Sequence, residues 1–374
     1  MKNAIKGNQQ KKNRNLPLFA CVLICLIAIF YPQRVKSALI DDLICPDSEV
    51  RKKALYRFDS SDASSKEEII ARLIERSFNK GNEQYDYALE DLKAMGAQAI
   101  GPAIRTINDI NLAERDPWVA VCLNSGKAAV PELKKYLGSD ELHSLAAASL
   151  LLRVDPEMRE AAAFISKKLK ESKTDKTTLF CLRALSLETS PSETELQSII
   201  VRLKSPDSIR AVALSCLDNF GTKASLAIPE VLKVLKSEKQ EGRILPLKVL
   251  GNCKEAAYEA VPYLYELAAI DDIVLRLNVL RVIGEIGVDP KGSLPVLEAS
   301  LKHEDEFVRA AAAEAVGRFD RKAFGAVPVL SEALMSSKLL YTQDKIIAAL
   351  RAVGTEDALA AVNRFRKEVR QKKK

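Results

Sequence analysis

The sequence predicts an all-α protein assembled from stacked helix pairs, and three observations support this fold class. A chain of 374 residues exceeds the usual size of one compact domain, so it needs either several domains or a repeat architecture. Sequence features return every 33 residues over more than a hundred residues. Apolar residues within each repeat follow helical spacing, and no run of strand length alternates between apolar and polar residues.

Four columns of residues keep the 33-residue period. A proline opens each repeat, at Pro229, Pro262, Pro295 and Pro328. An arginine recurs at Arg210, Arg243, Arg276 and Arg309. Two apolar columns follow it, at Leu214, Leu247, Leu280 and Ala313, and at Leu217, Leu250, Ile283 and Val316. Unrelated amphipathic helices would not hold one phase over this length, so the segment is a tandem repeat.

Each repeat is predicted to contain two helices joined by short turns. Ile228, Val231 and Leu235 have the spacing of one buried helix face. Acidic residues near the start of the second helix suit its positive end, and glycines after it can take the positive φ that ends a helix. The acids are Asp207, Asp272 and Asp305, and the glycines are Gly221, Gly287 and Gly354. Residues 47–55 resemble a second helix whose repeat is truncated at its front.

Residues 306–317, EFVRAAAAEAVG, are the copy that most resembles a HEAT repeat. The resemblance is closest to the short bacterial form, related to the repeats of phycobilin lyases within the armadillo-like superfamily. It covers residues 40–363, which corresponds to about nine or ten helix pairs. The resemblance implies a right-handed α-solenoid whose second helices line the concave side. This motif indicates architecture far better than it indicates activity.

The N-terminus has the composition of a targeting segment. Residues 16–31, LPLFACVLICLIAIFY, carry no charge and follow a basic stretch that ends at Arg14. As a helix they would span about 24 Å, less than the roughly 30 Å hydrocarbon core of a membrane. This length favours a cleaved export signal over a retained membrane anchor. Both cases place the body across the membrane, so we expect an exported protein, secreted or anchored in the periplasm or cell envelope.

The charges are concentrated at the two ends of the chain. The formal net charge is +7, yet residues 1–38 contain seven basic side chains and no acid. Residues 364–374 add seven more basic side chains against Glu368, which leaves residues 39–363 with a net charge of −6. A mildly acidic body does not attract a phosphate backbone over its surface, so nucleic acid is disfavoured as a partner. Attachment to a surface through the basic tail remains an alternative.

These patterns divide the chain into three parts. Residues 1–38 are assigned to the signal peptide or anchor, residues 39–354 to the solenoid, and residues 355–374 to a capping helix with a basic tail. A polar outer face on a terminal helix is what a stack of repeats needs at its end. We expect the protein to be a monomer.

The arginine column has two interpretations. Four arginines in register could grip a phosphate or carboxylate partner. However, Asp305 and Arg309 are four residues apart, as are Asp272 and Arg276, and such pairs can form within one helix. The resemblance also implies that this acid and this arginine bridge neighbouring repeats. We therefore interpret the column as a structural arginine ladder: Arg210, Arg243, Arg276 and Arg309.

A second column on the same helix is the candidate partner site. Ser215, Lys248, Arg281 and Glu314 occupy equivalent positions. Their mixed signs argue against a groove that tracks phosphates and suit a protein or peptide partner, or simply a solvated face. We take Lys248, Arg281 and Glu314 as candidate partner-binding residues.

The sequence contains few of the residue patterns that enzymes use for catalysis. Two histidines, His143 and His303, cannot fill a HEAT-type di-iron site, and no Ser-His-Asp set, phosphate loop or CxxC pair is present. Four cysteines fall among apolar helix positions, as small buried hydrophobes do: Cys122, Cys181, Cys216 and Cys253. We expect a non-catalytic scaffold or adaptor without cofactor or metal, the alternative being a lyase-like accessory or catalytic protein on a HEAT frame.

Overall fold

The structure is a computed structural model that describes residues 36–77, 84–107 and 117–372. Within these ranges the regular secondary structure is helical and no strand is found. The all-α fold class is therefore confirmed. The uncharged segment 16–31 lies outside the described residues.

The helices follow one another along the chain in pairs. Odd-numbered helices are the first members (A) and even-numbered helices the second members (B) of each pair. The helices are 36–43 (α1), Ser48–Asp59 (α2), Ala63–Ser77 (α3), Gln84–Met95 (α4), Ile100–Arg105 (α5), Pro117–Ser125 (α6), Val130–Lys134 (α7), Glu141–Val154 (α8), Arg159–Glu171 (α9), Asp175–Leu185 (α10), Glu193–Ile200 (α11), Asp207–Phe220 (α12), Ile228–Ser237 (α13), Ile244–Asn252 (α14), Val261–Ala268 (α15), Ile273–Ile286 (α16), Pro290–Leu301 (α17), Glu306–Gly317 (α18), Val327–Ser336 (α19), Leu340–Val353 (α20) and Glu356–Lys372 (α21).

The described residues thus contain ten helix pairs and a final helix, in line with the nine or ten pairs expected. A helix, α1, precedes α2 within the described residues, so the expectation of a first repeat without its front helix was wrong. The helices form two compact units that divide between Asp155 and Pro156. The first unit ends with α8, and the second begins with α9.

Residues 207–353 keep the constant 33-residue period, and we call them the regular array. In it, α12, α14, α16, α18 and α20 pack side by side as a layer of B helices, and each A helix from α13 to α19 packs on the B helix that follows it. Both apolar columns lie inside this packing, with every member at most 3% exposed. Since burying one leucine contributes roughly 2 kcal/mol, these columns hold each pair to its neighbours.

The ends of the B helices follow the predicted chemistry. Asp272 and Asp305 cap α16 and α18, because their carboxylates accept from backbone N–H groups of the first turn. Gly287 and Gly354 end α16 and α20 in the left-handed conformation, each with φ of 65°. Glycine reaches this region without the steric penalty that a Cβ would bring.

Two glycines let neighbouring B helices approach closely. A Cβ built on Gly284 in α16 would lie 2.8 Å from the Cα of Ala315 in α18. A Cβ on Gly317 would lie 3.2 Å from the Cα of Ala349 in α20. These glycines are 33 residues apart, so they repeat one backbone contact from pair to pair.

Helix α17 departs from the repeat. Pro229, Pro262 and Pro328 stand in the first turn of their helices, whereas Pro295 lies inside α17. The reason is local: the Asp289 carboxylate accepts from the Gly292 N–H, and Pro290 follows as the first helical residue. This cap starts the helix earlier than in the other repeats.

The last helix, α21, covers the end of the array. Ala358 and Val362 are buried, and the helix packs on α19 and α20. The basic residues predicted for the tail lie on its outer part, where Arg364, Arg366 and Arg370 are exposed.

Candidate functional site

The B helices of the regular array leave one face uncovered. Each contacts its A helix on one side and the neighbouring B helices on its flanks. The remaining surface of α12, α14, α16, α18 and α20 is the helix-B face. It carries the candidate partner column, whereas the arginine ladder lies at the beginning of the same helices.

The ladder arginines bind the turn that joins helix A to helix B. Arg309 is buried; its Nη1 donates to the carbonyls of His303 at 2.6 Å and Glu304 at 2.9 Å, and its Nη2 lies 2.9 Å from Glu306. Arg276 donates to the carbonyl of Ala268 at 2.9 Å. These contacts satisfy carbonyls left open at the end of helix A.

The other two ladder arginines use the same kind of partner. Arg243 donates through Nε to the carbonyl of Glu238 at 3.0 Å. Arg210 donates to the carbonyl of Ser205 at 3.2 Å and lies 2.8 Å from the Glu238 carboxylate. Because Glu238 belongs to the following repeat, Arg210 ties two repeats together. In α18 the carboxylate partner of Arg309 is Glu306, while Asp305 caps the helix.

The candidate partner column lies on the helix-B face, with its charges paired. Lys248 Nζ is 2.6 Å from a carboxylate oxygen of Asp218. Arg281 lies 3.6 Å from Glu285 on its own helix. Ser215 donates to the carbonyl of Ala211 at 2.9 Å. The column is thus a set of local ion pairs rather than a single convergent cluster.

Glu314 is held by two cations. Lys345 Nζ in α20 lies 2.7 Å from its Oε2, and Arg318 lies 3.8 Å from its Oε1. The hydrogen bond from Lys345 to Glu314 raises the pKa of Lys345 above its usual value. Lys345 also lies over the ring of Tyr341, 5.6 Å from its centroid, where a cation is attracted by the π face.

Beside these charges the structure shows an apolar depression of about 220 Å³ between α16, α18 and α20. Arg281, Glu314 and Arg318 border it, and its apolar lining consists of Leu277, Phe307, Ala311, Ala315 and Tyr341. The rings of Phe307 and Tyr341 are tilted, with centroids 6.1 Å apart, a geometry that aromatic pairs favour.

Sequence reasoning missed these aromatic residues, although a signal was present. Val274, Phe307 and Leu340 are spaced by 33 residues, one turn or more before the charged column. An apolar residue recurring on the solvent side of an amphipathic helix is the sign of an uncovered hydrophobic patch. In the structure Val274 is 62% exposed, Phe307 54% and Leu340 76%, and Tyr341, which follows Leu340, is 52% exposed.

A second and wider depression, about 1000 Å³, lies at the C-terminal ends of the B helices. Its lining combines cations and anions, among them Lys254, Glu255, Asp320 and Lys322. Its lining contains no aromatic pair, and positively and negatively charged side chains lie next to one another along it. The narrower depression on the helix-B face is therefore the stronger candidate.

The histidines and cysteines have structural surroundings. His143 Nδ1 is 2.6 Å from Asp140, and His303 Nδ1 accepts from the backbone N–H of Asp305 at 3.0 Å. Among the described residues, no group of three His, Cys, Asp or Glu side chains is placed to hold a metal ion. As predicted, the four cysteines are buried, and burial raises the pKa of Cys122 to about 12.

Comparison with known proteins identifies the class of this fold. The family model described as HEAT repeats matches residues 228–317, which lie within the regular array. No curated protein matches the chain. A chain of the Kap95p complex with RanGDP is 12% identical with a TM-score of 0.50, covering 85% of this chain and 48% of its own. Residues 228–317 are therefore HEAT repeats, and the chain has an all-α solenoid fold. The chain spans about half the length of that similar chain.

Two further solved structures have lower structural similarity. The karyopherin Kap121p bound to the extreme C-terminus of the protein phosphatase Cdc14p is 14% identical, with a TM-score of 0.46 and coverage of 86% of this chain and 38% of its own. A chain of the CpcE–CpcF complex of phycocyanin lyase from Nostoc is 17% identical, with a TM-score of 0.34 and coverage of 64% and 94%. At such identities, similarity concerns the fold and not the activity.

Proposed function

We propose that this protein is a non-catalytic scaffold that binds a protein partner on the helix-B face of the regular array. The observation that carries the proposal is the row of exposed apolar side chains on three successive B helices: Val274 on α16, Phe307 on α18 and Tyr341 on α20. Exposed aromatic residues that adjoin one another are characteristic of interaction surfaces.

The candidate residues from the sequence fit the same role. Lys248, Arg281 and Glu314 lie on the helix-B face, and each keeps two fifths or more of its side chain exposed despite its ion pair. Charged residues around an apolar centre form the polar rim that protein interfaces have. If the second helices line the inside of the solenoid, as in other HEAT repeats, the partner would sit in its concavity.

Site-specific photocrosslinking tests the proposal with two matched positions. Phe307 and Phe324 are both exposed phenylalanines, but Phe324 lies in the turn between α18 and α19. Because both rings are exposed, we expect replacement of each in turn by p-benzoylphenylalanine to leave the fold intact. We expect a discrete crosslinked protein from position 307 and none from position 324. Absence of a product at position 307, or the same products at both positions, would contradict the proposal.

An accessory or catalytic role on a HEAT frame is the competing class. An enzyme would need titratable side chains that converge on one cavity, whereas the charges on the helix-B face neutralise one another in separate pairs. A scaffold needs no such convergence. A chemical change in a partner captured at position 307, dependent on Arg281 or Glu314, would favour the enzyme.

Export is proposed from the uncharged segment 16–31 alone. No helix among the described residues is long and apolar enough to cross a bilayer. N-terminal sequencing of the chain from fractionated cells reports both the compartment and any cleavage. A cytosolic chain that begins at Met1 would contradict export.

Attachment to an anionic surface through α21 is a second candidate. The outer part of this helix exposes Arg364, Arg366, Lys367 and Arg370, and a cluster of cations on one helix attracts anionic lipid. Removing residues 364–374 should abolish salt-sensitive binding to vesicles that contain phosphatidylserine. Equal binding by the shortened chain would rule this attachment out.

A further inference from the structure

The depression on the helix-B face has the size of one side-chain socket. Its volume of about 220 Å³ exceeds the roughly 150 Å³ of an apolar protein cavity that holds a benzene molecule. Its lining at Leu277, Ala311 and Ala315 is aliphatic, and Phe307 and Tyr341 form an aromatic edge. Such a socket admits a phenylalanine or leucine side chain of a partner.

In two ion pairs of the helix-B face, the cation is more exposed to solvent than the acid. Lys248 is 49% exposed but its partner Asp218 only 10%; Arg281 is 41% exposed but Glu285 only 11%. In both pairs the acid lies close to the helix surface and the cation reaches above it. Each pair has no net charge. Because the cations are the more exposed members, a ligand that approaches this face contacts them before the acids.

Glu314 is the exposed acid at the rim, and two cations share it. Lys345 and Arg318 both lie within ion-pair distance of its carboxylate, so this group of three has one positive charge in excess. Asp344, the neighbour of Lys345, is also exposed. Arg281, Arg318 and Lys345 against Glu314 and Asp344 leave one positive charge in excess among the accessible groups beside the socket.

We infer that the helix-B face receives an acidic peptide segment that inserts an aromatic or aliphatic side chain into the depression beside the Phe307–Tyr341 pair and places its carboxylates on Arg281, Arg318 and Lys345. This inference rests on the proposed function and specifies the partner's chemistry. A phosphate backbone alone would leave the apolar socket empty, and a purely apolar segment would leave the excess positive charge beside the socket without a counter-charge. An acidic peptide with one large apolar residue satisfies both parts.

Fluorescence anisotropy with the full chain and three labelled dodecapeptides tests this chemistry. One peptide has a central Phe flanked by Asp and Glu, the second has Lys in place of the acids, and the third has Ala in place of the Phe. We expect the first to bind at least about tenfold more tightly than either of the others, with binding that weakens as salt is added.

Variants locate the binding on this face. Arg318→Ala and Phe307→Ser should each weaken the first peptide by about tenfold or more. The matched controls Arg321→Ala and Phe324→Ser, exposed residues of the turn after α18, should leave its affinity unchanged. All four side chains are exposed, and thermal unfolding of each variant verifies that the fold is retained.

Failure of this inference is distinguishable from failure of the proposed function. Equal or tighter binding of the lysine peptide, equal binding by Phe307→Ser, or no binding of any of the three peptides would overturn the acidic-peptide inference. If photocrosslinking at position 307 still captured a protein, the scaffold proposal would stand without it. Loss of the crosslink as well would remove both.

Discussion

The regular array, residues 207–353, and the preceding segment, residues 36–206, differ in how completely their buried polar groups are bonded. Of the described side chains, five have a buried polar atom without a hydrogen-bond partner, and all five lie in the preceding segment. They are Asp91, His143, Arg153, Glu188 and Arg202. None of the described side chains of the regular array has such an atom.

The difference teaches what a constant repeat length provides. In the array the column arginine donates to carbonyls at the end of the preceding helix A or in the turn after it, and capping aspartates recur at equivalent positions. In the preceding segment the A helices vary in length, with α5 and α7 much shorter than α9. When the helix length changes, a polar group can lose the hydrogen-bond partner that it has in another repeat. Each buried group left without a partner costs about 1–3 kcal/mol of stability.

The largest expected effect comes from the close helix contact of the array. Gly284→Ala should destabilise the protein by about 3 kcal/mol, because the new Cβ would lie against the Ala315 backbone, which cannot move alone. Gly101→Ala, in the preceding segment, meets only the ends of the Tyr136 and Arg105 side chains and should cost much less. Urea unfolding measures both, with Gly325→Ala, which meets nothing within 4 Å, as the control. If Gly284→Ala and Gly101→Ala lowered the free energy of unfolding equally, the constant repeat length would not be what determines how closely the helices pack.

Removing a ladder arginine should have the next largest effect. Arg309→Leu should cost about 2 kcal/mol, since the carbonyls of His303 and Glu304 and the carboxylate of Glu306 lose their donor. Arg210→Leu should cost less, because Arg210 is more exposed. If the loss in unfolding free energy were negligible while partner binding fell, the arginines would be binding residues rather than structural ones.

A smaller effect with opposite sign is expected at Asp91. Burial raises its pKa to about 7, with Glu90 adding to the rise and Arg51 opposing it. Aspartate in an unfolded chain has a pKa of about 4. Between that pKa and the raised pKa of the native state, the native carboxyl keeps a proton that the unfolded one has lost. Rising pH therefore lowers the free energy of unfolding.

Asp91→Asn removes that penalty. We expect the variant to be more stable than the parent near about pH 8, by on the order of 1 kcal/mol, and equal to it near about pH 4. Urea midpoints at both pH values measure the difference. A parent chain that is the more stable at the higher pH would mean that Arg51 compensates the ionised carboxylate.

The smallest effect on stability is expected at the candidate binding column. Lys248→Ala should change the free energy of unfolding by less than about 1 kcal/mol, because Lys248 is half exposed and water screens its attraction to Asp218. The charge of Asp218 would then be uncovered, and affinity for the acidic peptide should fall. A large loss of stability would instead mark Lys248 as part of the array's framework.

Sequence reasoning recovered the architecture of the array because its period is constant. The apolar columns gave the core, and Gly287 and Gly354 gave the helix ends. The early start of α17 was also readable in principle, since Asp289 followed by Pro290 is a helix-start pattern. The distance between neighbouring B helices could not be predicted from the sequence. The close contacts at Gly284 and Gly317 depend on the backbone of the next helix, which the sequence alone does not place.

The candidate site was recovered in part. The column of Lys248, Arg281 and Glu314 was placed on the surface, but the sequence did not reveal that Asp218 lies beneath Lys248, or that Lys345 and Arg318 share Glu314. Those pairs join residues of different helices or turns and depend on how the helices cross. Exposure of the Phe307 ring likewise depends on the absence of a covering layer.

The positive-φ residues Gly221, Lys254, Gly287 and Asp320 are equally spaced, and Lys254 and Asp320 each begin a 3-10 turn that leads into helix A. This spacing has a consequence for how such a chain can grow. Duplicating the stretch between Lys254 and Asp320 joins one positive-φ turn start to another of the same kind, so the copied repeats enter without a backbone mismatch. Gene duplication would then extend the helix-B face by whole repeats. The exposed side chains of each new repeat could change while its buried core residues and turns stayed the same.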